Sequence, residues 1–298
     1  MIEKFNFYDV YGYFVPGTAF IAILWVPLGV VKHSWPASTW SSAIIAVVLA
    51  YLVGHLIQSL ATNALPFSAS GGRFPSEAYL DATDTELPEV SKRQIQELMK
   101  EQFGLELEVE KVGDEALDKV RHQAFLLARQ ILIQGKAVSY AEQFQGMYAM
   151  TRGLVLVLAL GFAYWLGFGA AAILRDSIGA SAAVVGLAVS LLVLANVSLV
   201  LLRTHPRSVT KNRKMERRYA VVLAIAFCFI GYALGLHYQV SERHGALLAF
   251  LSAWSLIAAL RAYGAYKTFA GQFAATVWRD YLAYSASVAS HEKPEHAR

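Results

Sequence analysis

Polar side chains interrupt an otherwise apolar stretch at residues 43–61. Tyr51, His55 and Gln58 are spaced by four and three residues, so they share one face of a helix. Imidazole both donates and accepts a hydrogen bond, and it titrates near neutral pH without help. This face fits either a proton-sensitive or pore-lining site, or hydrogen bonds between packed helices. Together with Asn196 and Ser255 on two other predicted spans, these three residues form a candidate intramembrane polar site.

The length of this stretch predicts that it crosses a membrane. Its nineteen residues at ~1.5 Å of rise match a hydrocarbon layer of ~30 Å. His55, Asn196 and Ser255 each lie six residues before the predicted cytoplasmic end of their span, at residues 61, 202 and 261. Equal spacing predicts equal depth, ~9 Å from the boundary. We therefore predict one polar layer, with His55 and Asn196 as its favoured pair.

Composition indicates that the whole chain is a membrane protein. Of 298 residues, 56% are hydrophobic and only 16% are charged, against about 25% charged in soluble domains. One cysteine, Cys228, excludes an intrachain disulfide framework. We predict an all-α polytopic membrane protein, a six-span helical bundle with spans near residues 14–31, 43–61, 153–174, 178–202, 219–236 and 245–260.

Two segments outside the spans have a different character. Residues 63–152 resemble a soluble domain, with thirteen acidic residues between Glu77 and Asp118. Gly104 and Gly135 are predicted to end two helices there, and a third is predicted to begin near Ser139 and to continue into the next span. Leu105, Leu107 and Val109 alternate with glutamates as an edge strand might.

From Tyr263 onward, aromatic residues at helical spacing predict an amphipathic helix for the membrane interface, the insert or a partner chain. The predicted organisation is a first hairpin (1–62), an acidic, mostly helical insert (63–152), four further spans (153–262) and a C-terminal amphipathic helix and tail (263–298).

Lysine and arginine counts predict the orientation. Residues 63–152 contain ten, 203–218 seven and the tail from Arg261 five, whereas the alternate loops contain one each. The positive-inside rule then puts the insert and both termini in the cytoplasm, in a cell inner membrane. The basic loop at 203–218 could also bind lipid headgroups; the candidates are Arg203, Arg207, Lys211, Arg213, Lys214, Arg217 and Arg218.

Small residues mark the faces on which spans should pack. Gly167 and Ala171 lie four residues apart on the third span, as do Gly231 and Gly235 on the fifth. Such spacing lets helix backbones approach closely, within one bundle or between subunits. We expect the chain to form homo-oligomers.

Motifs for ordinary catalysis are missing from the sequence. It has no phosphate-binding glycine loop, no G-x-S-x-G elbow, no H-E-x-x-H pair and no cysteine cluster. We therefore predict no catalytic residue, cofactor or metal, and no nucleic-acid partner. The favoured function is a non-enzymatic membrane protein whose insert binds a cytosolic protein or small signalling ligand at residues 77–148 and couples it to the bundle. The alternatives are an oligomeric channel or membrane-disrupting effector gated by the insert, and an intramembrane enzyme or transporter that uses His55, Gln58 and Asn196.

Overall fold

A computed structural model describes most of the chain. The described residues are 8–35, 39–65, 74–108, 115–135, 140–173 and 209–291, with the backbone alone for Asn63, Glu115, Ile173, 209–219 and 289–291.

Every regular element in these ranges is a helix, which confirms the all-α class. A π-helical turn, Asp9–Phe14, leads into the first α-helix. The α-helices are α1 (Val15–Lys32), α2 (Trp40–Ala64), α3 (Pro75–Ala78), α4 (Glu89–Phe103), α5 (Glu115–Gln134), α6 (Ala141–Ile173), α7 (Val209–His237) and α8 (Glu242–His291).

Five helical segments in the described part are long and apolar enough to cross a membrane. They correspond to five of the six predicted spans; the other one, at residues 178–202, lies outside the described residues. The five segments are Asp9–Lys32, Trp40–Thr62, Ala141–Ala172, Ala220–His237 and Glu242–Val288.

The chain divides into two compact units. The first unit comprises Met1–Pro66 and Ala149–Tyr266, and the second comprises Phe67–Tyr148 and Lys267–Arg298. Two helices contribute to both units: α6 divides at residue 149 and α8 at residue 267.

Within the first unit, α1 and α2 cross with their backbones in direct contact. A Cβ atom on Gly17 would overlap the carbonyl oxygen of Ala50, and one on Gly54 would overlap that of Tyr13. Helix α2 thus supplies Gly54 and the Ala50 carbonyl to the crossing, while Gly17 of α1 and the Tyr13 carbonyl of the π-helical turn face them. The geometry tolerates no side chain at either glycine.

The small-residue faces predicted on the third and fifth spans pack against each other. A Cβ atom on Gly167 would overlap the carbonyl oxygen of Cys228, one on Gly231 would overlap that of Tyr164, and Gly235 faces the side chain of Ala171. Close backbone approach here occurs within one chain, between α6 and α7.

The second unit has its own apolar core. Ile95 and Met99 of α4 and Phe125 of α5 pack there with Trp278 and Tyr281 of α8. The Trp278 indole also donates a 3.1 Å hydrogen bond to the carbonyl of Ser76. Of the three roles predicted for the C-terminal amphipathic segment, the structure shows it packing on the insert.

A buried arginine holds the segment between α3 and α4 in place. The Arg121 guanidinium is fully buried, pairs with the Asp81 carboxylate and donates to the carbonyls of Leu107 and Glu108. Lys92, also fully buried, donates to the carbonyls of Asp81 and Asp84 at 2.5 and 2.6 Å. Both charges are compensated inside the core, which is the condition for burying them.

The structure corrects several predicted boundaries. The sixth span and the C-terminal segment form one helix, because residues 242–291 are rich in alanine and contain no proline. Part of the predicted basic loop is also helical, since α7 begins at Val209. Leu105 to Glu108 is irregular instead of a strand. Helix α4 ends at Phe103, and Gly104 caps it in the left-handed conformation, as predicted.

Candidate functional site

The Gln58 side chain hydrogen-bonds the backbone just before a proline of α1. Pro16 has no N–H, so it can donate no hydrogen bond to the turn before it, neither to Tyr11, five residues earlier as in the π-helical turn, nor to the carbonyl of Gly12, four residues earlier. The Gln58 side-chain amide donates to that carbonyl instead, with 2.6 Å between Nε2 and the oxygen. Membrane helices tolerate proline when a neighbouring helix satisfies the freed carbonyl in this way.

The same amide connects three segments of the first unit. Gln58 Nε2 also donates to the carbonyl of Ala149 on α6 at 2.6 Å. Its Oε1 accepts from Arg152 Nε at 3.2 Å and from Arg152 Nη2 at 2.9 Å. These four hydrogen bonds use the full donor and acceptor capacity of the amide. Only 4% of Gln58 is exposed, so this side chain fastens the π-helical turn, α2 and α6 together.

The second proline of α1 shows the same pattern. Pro27 cannot donate to the carbonyl of Ile23, four residues earlier. Trp165 of α6 donates its indole N–H to that carbonyl, with 3.0 Å between the heavy atoms. The carbonyls four residues before both prolines, that of Gly12 in the π-helical turn and that of Ile23 in α1, therefore accept a hydrogen bond from another helix.

His55 and Tyr51 form a separate aromatic group. The His55 ring stacks on Tyr13 with 3.7 Å between centroids, and Tyr51 meets both rings edge to face. His55 is exposed at the surface of the chain, whereas Gln58 is buried. The shared helix face therefore divides into an aromatic stack and a buried amide.

Ser255 contacts a different part of α6. Its hydroxyl donates to the carbonyl of Leu158 at 2.7 Å, and Ser252 donates to Phe162 at 3.0 Å. Leu158 is nine residues beyond Ala149, the contact of Gln58, which is about 13 Å along a helix. Asn196 lies outside the described residues, so the predicted pair with His55 stays a prediction.

All seven proposed lipid-headgroup residues fall outside the described side chains. Arg203 and Arg207 precede the described residues of α7. The helical backbone alone is described for the other five, Lys211, Arg213, Lys214, Arg217 and Arg218.

A polar cavity of about 640 Å³ lies within the second unit, in the size range of small-molecule sites. One wall follows α8 along two adjacent rows at four-residue spacing. In the first row, Lys267 and Arg279 stand at the ends and Gly271 and Ala275 between them. The second row is Thr268, Gln272 and Thr276, and the other lining residues are Tyr79, Glu86 and Phe144.

Tyr79 reaches across this cavity to the helix. A Cβ atom on Gly271 would collide with the Tyr79 hydroxyl, so the missing side chain makes room for it. Burial, reinforced by the Glu86 and Asp84 carboxylates, raises the pKa of Tyr79 to about 12. A tyrosine hydroxyl is protonated at neutral pH in any case, and this shift of the pKa extends that state to higher pH. Arg279 Nη2 donates to the Glu86 carbonyl at 3.3 Å across the same cavity.

Sequence patterns missed this cavity because its lining comes from three distant segments. The polar row Thr268, Gln272 and Thr276 was a readable signal, since it lies beside the aromatic stripe that predicts an amphipathic helix.

Comparison of the chain with protein-family models, curated proteins and solved structures finds no match.

Proposed function

We propose that this chain is a non-enzymatic inner-membrane protein whose second unit recognises a ligand or partner protein in the cytoplasm and couples it to the transmembrane bundle. The observation that carries the proposal is that α6 and α8 each continue, without a break, from the second unit into the first. A displacement of either helix in one unit is then transmitted to the other through hydrogen-bonded backbone.

Contacts on α6 support this coupling. In its second-unit part, Gln145 accepts a 2.8 Å hydrogen bond from Arg129 of α5. At the start of its first-unit part, the carbonyl of Ala149 accepts a hydrogen bond from Gln58 Nε2. One helix thus carries polar contacts to α5 and to α2 within a few turns.

The geometry does not favour the enzyme or transporter alternative. That alternative uses Gln58 as a reacting or transporting group, yet all four hydrogen-bonding positions of its amide are occupied by protein groups. Gln58 is better explained as part of the frame of the bundle.

The proposal includes six spans with both termini and the insert in the cytoplasm. In a Cys228→Ala background, single cysteines from Ser70→Cys, Lys211→Cys and Ser290→Cys should react with a membrane-permeant maleimide and not with an impermeant one in intact cells. All three positions lie in segments that the positive-inside rule assigns to the cytoplasm. Labelling of Ser70→Cys by the impermeant reagent would contradict this orientation.

Hydrogen exchange tests the coupling itself. Ile95 is fully buried in the core of the second unit, and Ile95→Val should cost about 1 kcal/mol. Since exchange from open states follows the free energy of opening, the second unit should exchange about fivefold faster. If the units are coupled, residues 149–173 and 242–266 of the full chain in nanodiscs should also exchange faster.

Val90→Ala is the matched control, because Val90 lies on the same helix and is 68% exposed. It should leave exchange in both units unchanged. Faster exchange confined to the second unit in Ile95→Val would rule out coupling of this kind.

A further inference from the structure

Opposite charges meet at one end of the cavity of the second unit. Glu86 and Arg279 both line this end, and both are exposed. They lie close together, because Arg279 Nη2 donates to the backbone carbonyl of Glu86 at 3.3 Å. That contact uses only part of the donor capacity of the guanidinium, and the other hydrogen bond of Glu86 runs from its backbone N–H to the Asp84 carboxylate. Within the part of the chain that the structure describes, the Glu86 carboxylate and the remaining guanidinium donors are therefore available to a ligand.

A cation and an anion at the same end of a cavity select a ligand that carries both charges. A guanidinium binds a carboxylate through two parallel hydrogen bonds, and a carboxylate accepts from an ammonium group. A simple anion at Arg279 would be repelled by the Glu86 carboxylate, and a simple cation at Glu86 would be repelled by Arg279. An α-amino acid has a carboxylate and an ammonium group on one carbon atom, so it can contact both residues at once.

The wall of α8 beside Arg279 leaves room for the side chain of such a ligand. Ala275, one helical turn before Arg279, presents only a methyl group to the cavity. The Tyr79 hydroxyl lies one turn further, against Gly271, so it closes this space at about 5.4 Å beyond Ala275. Thr276 adds a second hydroxyl from the neighbouring row.

The Tyr79 hydroxyl is placed to donate to the ligand. Its pKa is raised by burial and by the Glu86 carboxylate and is lowered by Arg279, so both charges lie near it. Among the described residues this hydroxyl makes no hydrogen bond. A carbonyl group on the ligand side chain would supply the acceptor.

We propose that this end of the cavity binds a zwitterionic α-amino acid, with its carboxylate at Arg279, its ammonium group at Glu86 and its side chain over Ala275. A side-chain amide, as in glutamine, accepts from the Tyr79 hydroxyl. This inference rests on the proposed function, because it names the ligand class of the unit that was proposed to recognise a cytoplasmic ligand. The other end of the cavity, at Lys267 and Thr268, takes no part in it.

Calorimetric titration of the full chain in phosphatidylcholine nanodiscs with L-glutamine tests the site. Two analogues each lack one charge: N-acetyl-L-glutamine has no ammonium group, and L-glutaminamide has no carboxylate. Each loses a charge-assisted contact, so each should bind at least about tenfold more weakly than L-glutamine. Absence of L-glutamine binding, or equal binding of the three compounds, would overturn the proposal.

Charge-removing variants show which end of the ligand each residue binds. Arg279→Gln should weaken the binding of L-glutamine about tenfold and should not weaken that of L-glutaminamide, which has no carboxylate to lose. Glu86→Gln should weaken L-glutamine and spare N-acetyl-L-glutamine in the same way. Loss of folding cannot produce this exchange of specificity. A variant that weakens L-glutamine and its matched analogue equally would contradict the orientation proposed for the ligand.

Arg93→Gln and Glu97→Gln are the matched controls for charge. Both residues are exposed on α4 of the second unit and lie outside the cavity lining. Neither substitution should change the affinity for L-glutamine. If they weaken binding as much as Arg279→Gln and Glu86→Gln do, the effect comes from net charge and the proposed site is wrong.

Tyr79→Phe tests the side-chain end without changing charge. L-norleucine has a side chain of similar length that contains no acceptor, so it cannot use the hydroxyl. Tyr79→Phe should therefore weaken L-glutamine about fivefold, the equivalent of one net hydrogen bond, and leave L-norleucine unchanged. Equal effects on the two ligands would contradict a side chain that reaches Tyr79.

The outcome separates the site from its proposed role. Binding of L-glutamine that leaves hydrogen exchange of residues 149–173 and 242–266 unchanged would contradict coupling and leave the site intact. Absence of binding would contradict the site, while the Ile95→Val experiment would still test coupling.

Discussion

A chain that carries Gly54→Leu should fail to assemble its first two spans. The Cβ atom alone would overlap the backbone carbonyl of Tyr13, and on the facing helix Gly17 is equally close to the carbonyl of Ala50. Backbone cannot rotate away as the end of a side chain can, so α1 and α2 would have to separate. We expect no folded protein after extraction into mild detergent, measured by size-exclusion chromatography and protease resistance.

Gly54→Ala gives a quantitative version of this experiment. Overpacking costs typically ~1–3 kcal/mol and more where nothing can yield, so we expect a loss of about 3 kcal/mol or more in the free energy of unfolding. Gly264→Ala is the control, because a Cβ atom there meets nothing within 4 Å. Alanine is preferred to glycine inside a helix by up to ~1 kcal/mol, so this variant should be stabilised.

The two alanine variants should thus change stability in opposite directions. Their unfolding free energies can be compared in the same detergent. A Gly54→Ala protein as stable as the wild type would show that the crossing is looser than the structure describes.

The helices that are long and apolar enough to cross a membrane were largely predictable, because hydrophobic length alone identifies them. Alanine and glycine spacing also predicted the packing faces at Gly167 and Gly231, since only small residues let backbones touch, but it did not predict that these two faces meet. At the first crossing, Gly54 lies four residues after Ala50, the same spacing, whereas Gly17 has no small residue four positions away. Their partners are carbonyls of the facing helix, and a carbonyl has no signature in the sequence.

The sequence also predicted the polar site only in part, because it indicates a shared helix face but not the groups that each side chain contacts. Spacing placed Tyr51, His55 and Gln58 on one face, but it could not tell which neighbour each would meet. Gln58 donates to the carbonyl of Gly12, which lies four residues before Pro16. Trp165 binds the carbonyl freed by Pro27 in the same way. A rule follows for membrane helices: the residue four before an internal proline exposes an acceptor, and a donor on another helix should be sought for it.

The largest effect expected from a polar residue of the bundle is that of Gln58→Leu. Leucine has a similar size but leaves the carbonyls of Gly12 and Ala149 without this donor and removes a partner of Arg152. A buried group that loses its hydrogen bond costs about 1–3 kcal/mol, although bonds between membrane helices average only ~0.6 kcal/mol. With three groups affected, we expect a loss of about 2–4 kcal/mol in the free energy of unfolding.

His55→Leu is the matched comparison on the same helix. His55 is exposed at the surface of the chain, and its described ring contacts are with Tyr13 and Tyr51. An aromatic pair contributes about 0.5–1.5 kcal/mol, and leucine regains part of it in lipid. We therefore expect a change within about 1 kcal/mol, measured by unfolding in mixed micelles of increasing denaturing-detergent fraction. A larger loss for His55→Leu than for Gln58→Leu would show that the predicted His55 layer, and not the amide, holds the bundle.

A double-mutant cycle with Pro16→Ala identifies which bond Gln58 contributes. Alanine at position 16 restores an N–H that can donate to the carbonyl of Gly12, so this carbonyl no longer depends on the amide. In the Pro16→Ala background, Gln58→Leu should therefore cost about 1 kcal/mol less than in the wild type, which is the size of one net hydrogen bond. Trp165→Phe, which removes the donor to the other proline-freed carbonyl, should keep its full cost in that background. If the cost of Gln58→Leu is the same with proline and with alanine at position 16, the amide stabilises the bundle through Ala149 and Arg152 instead.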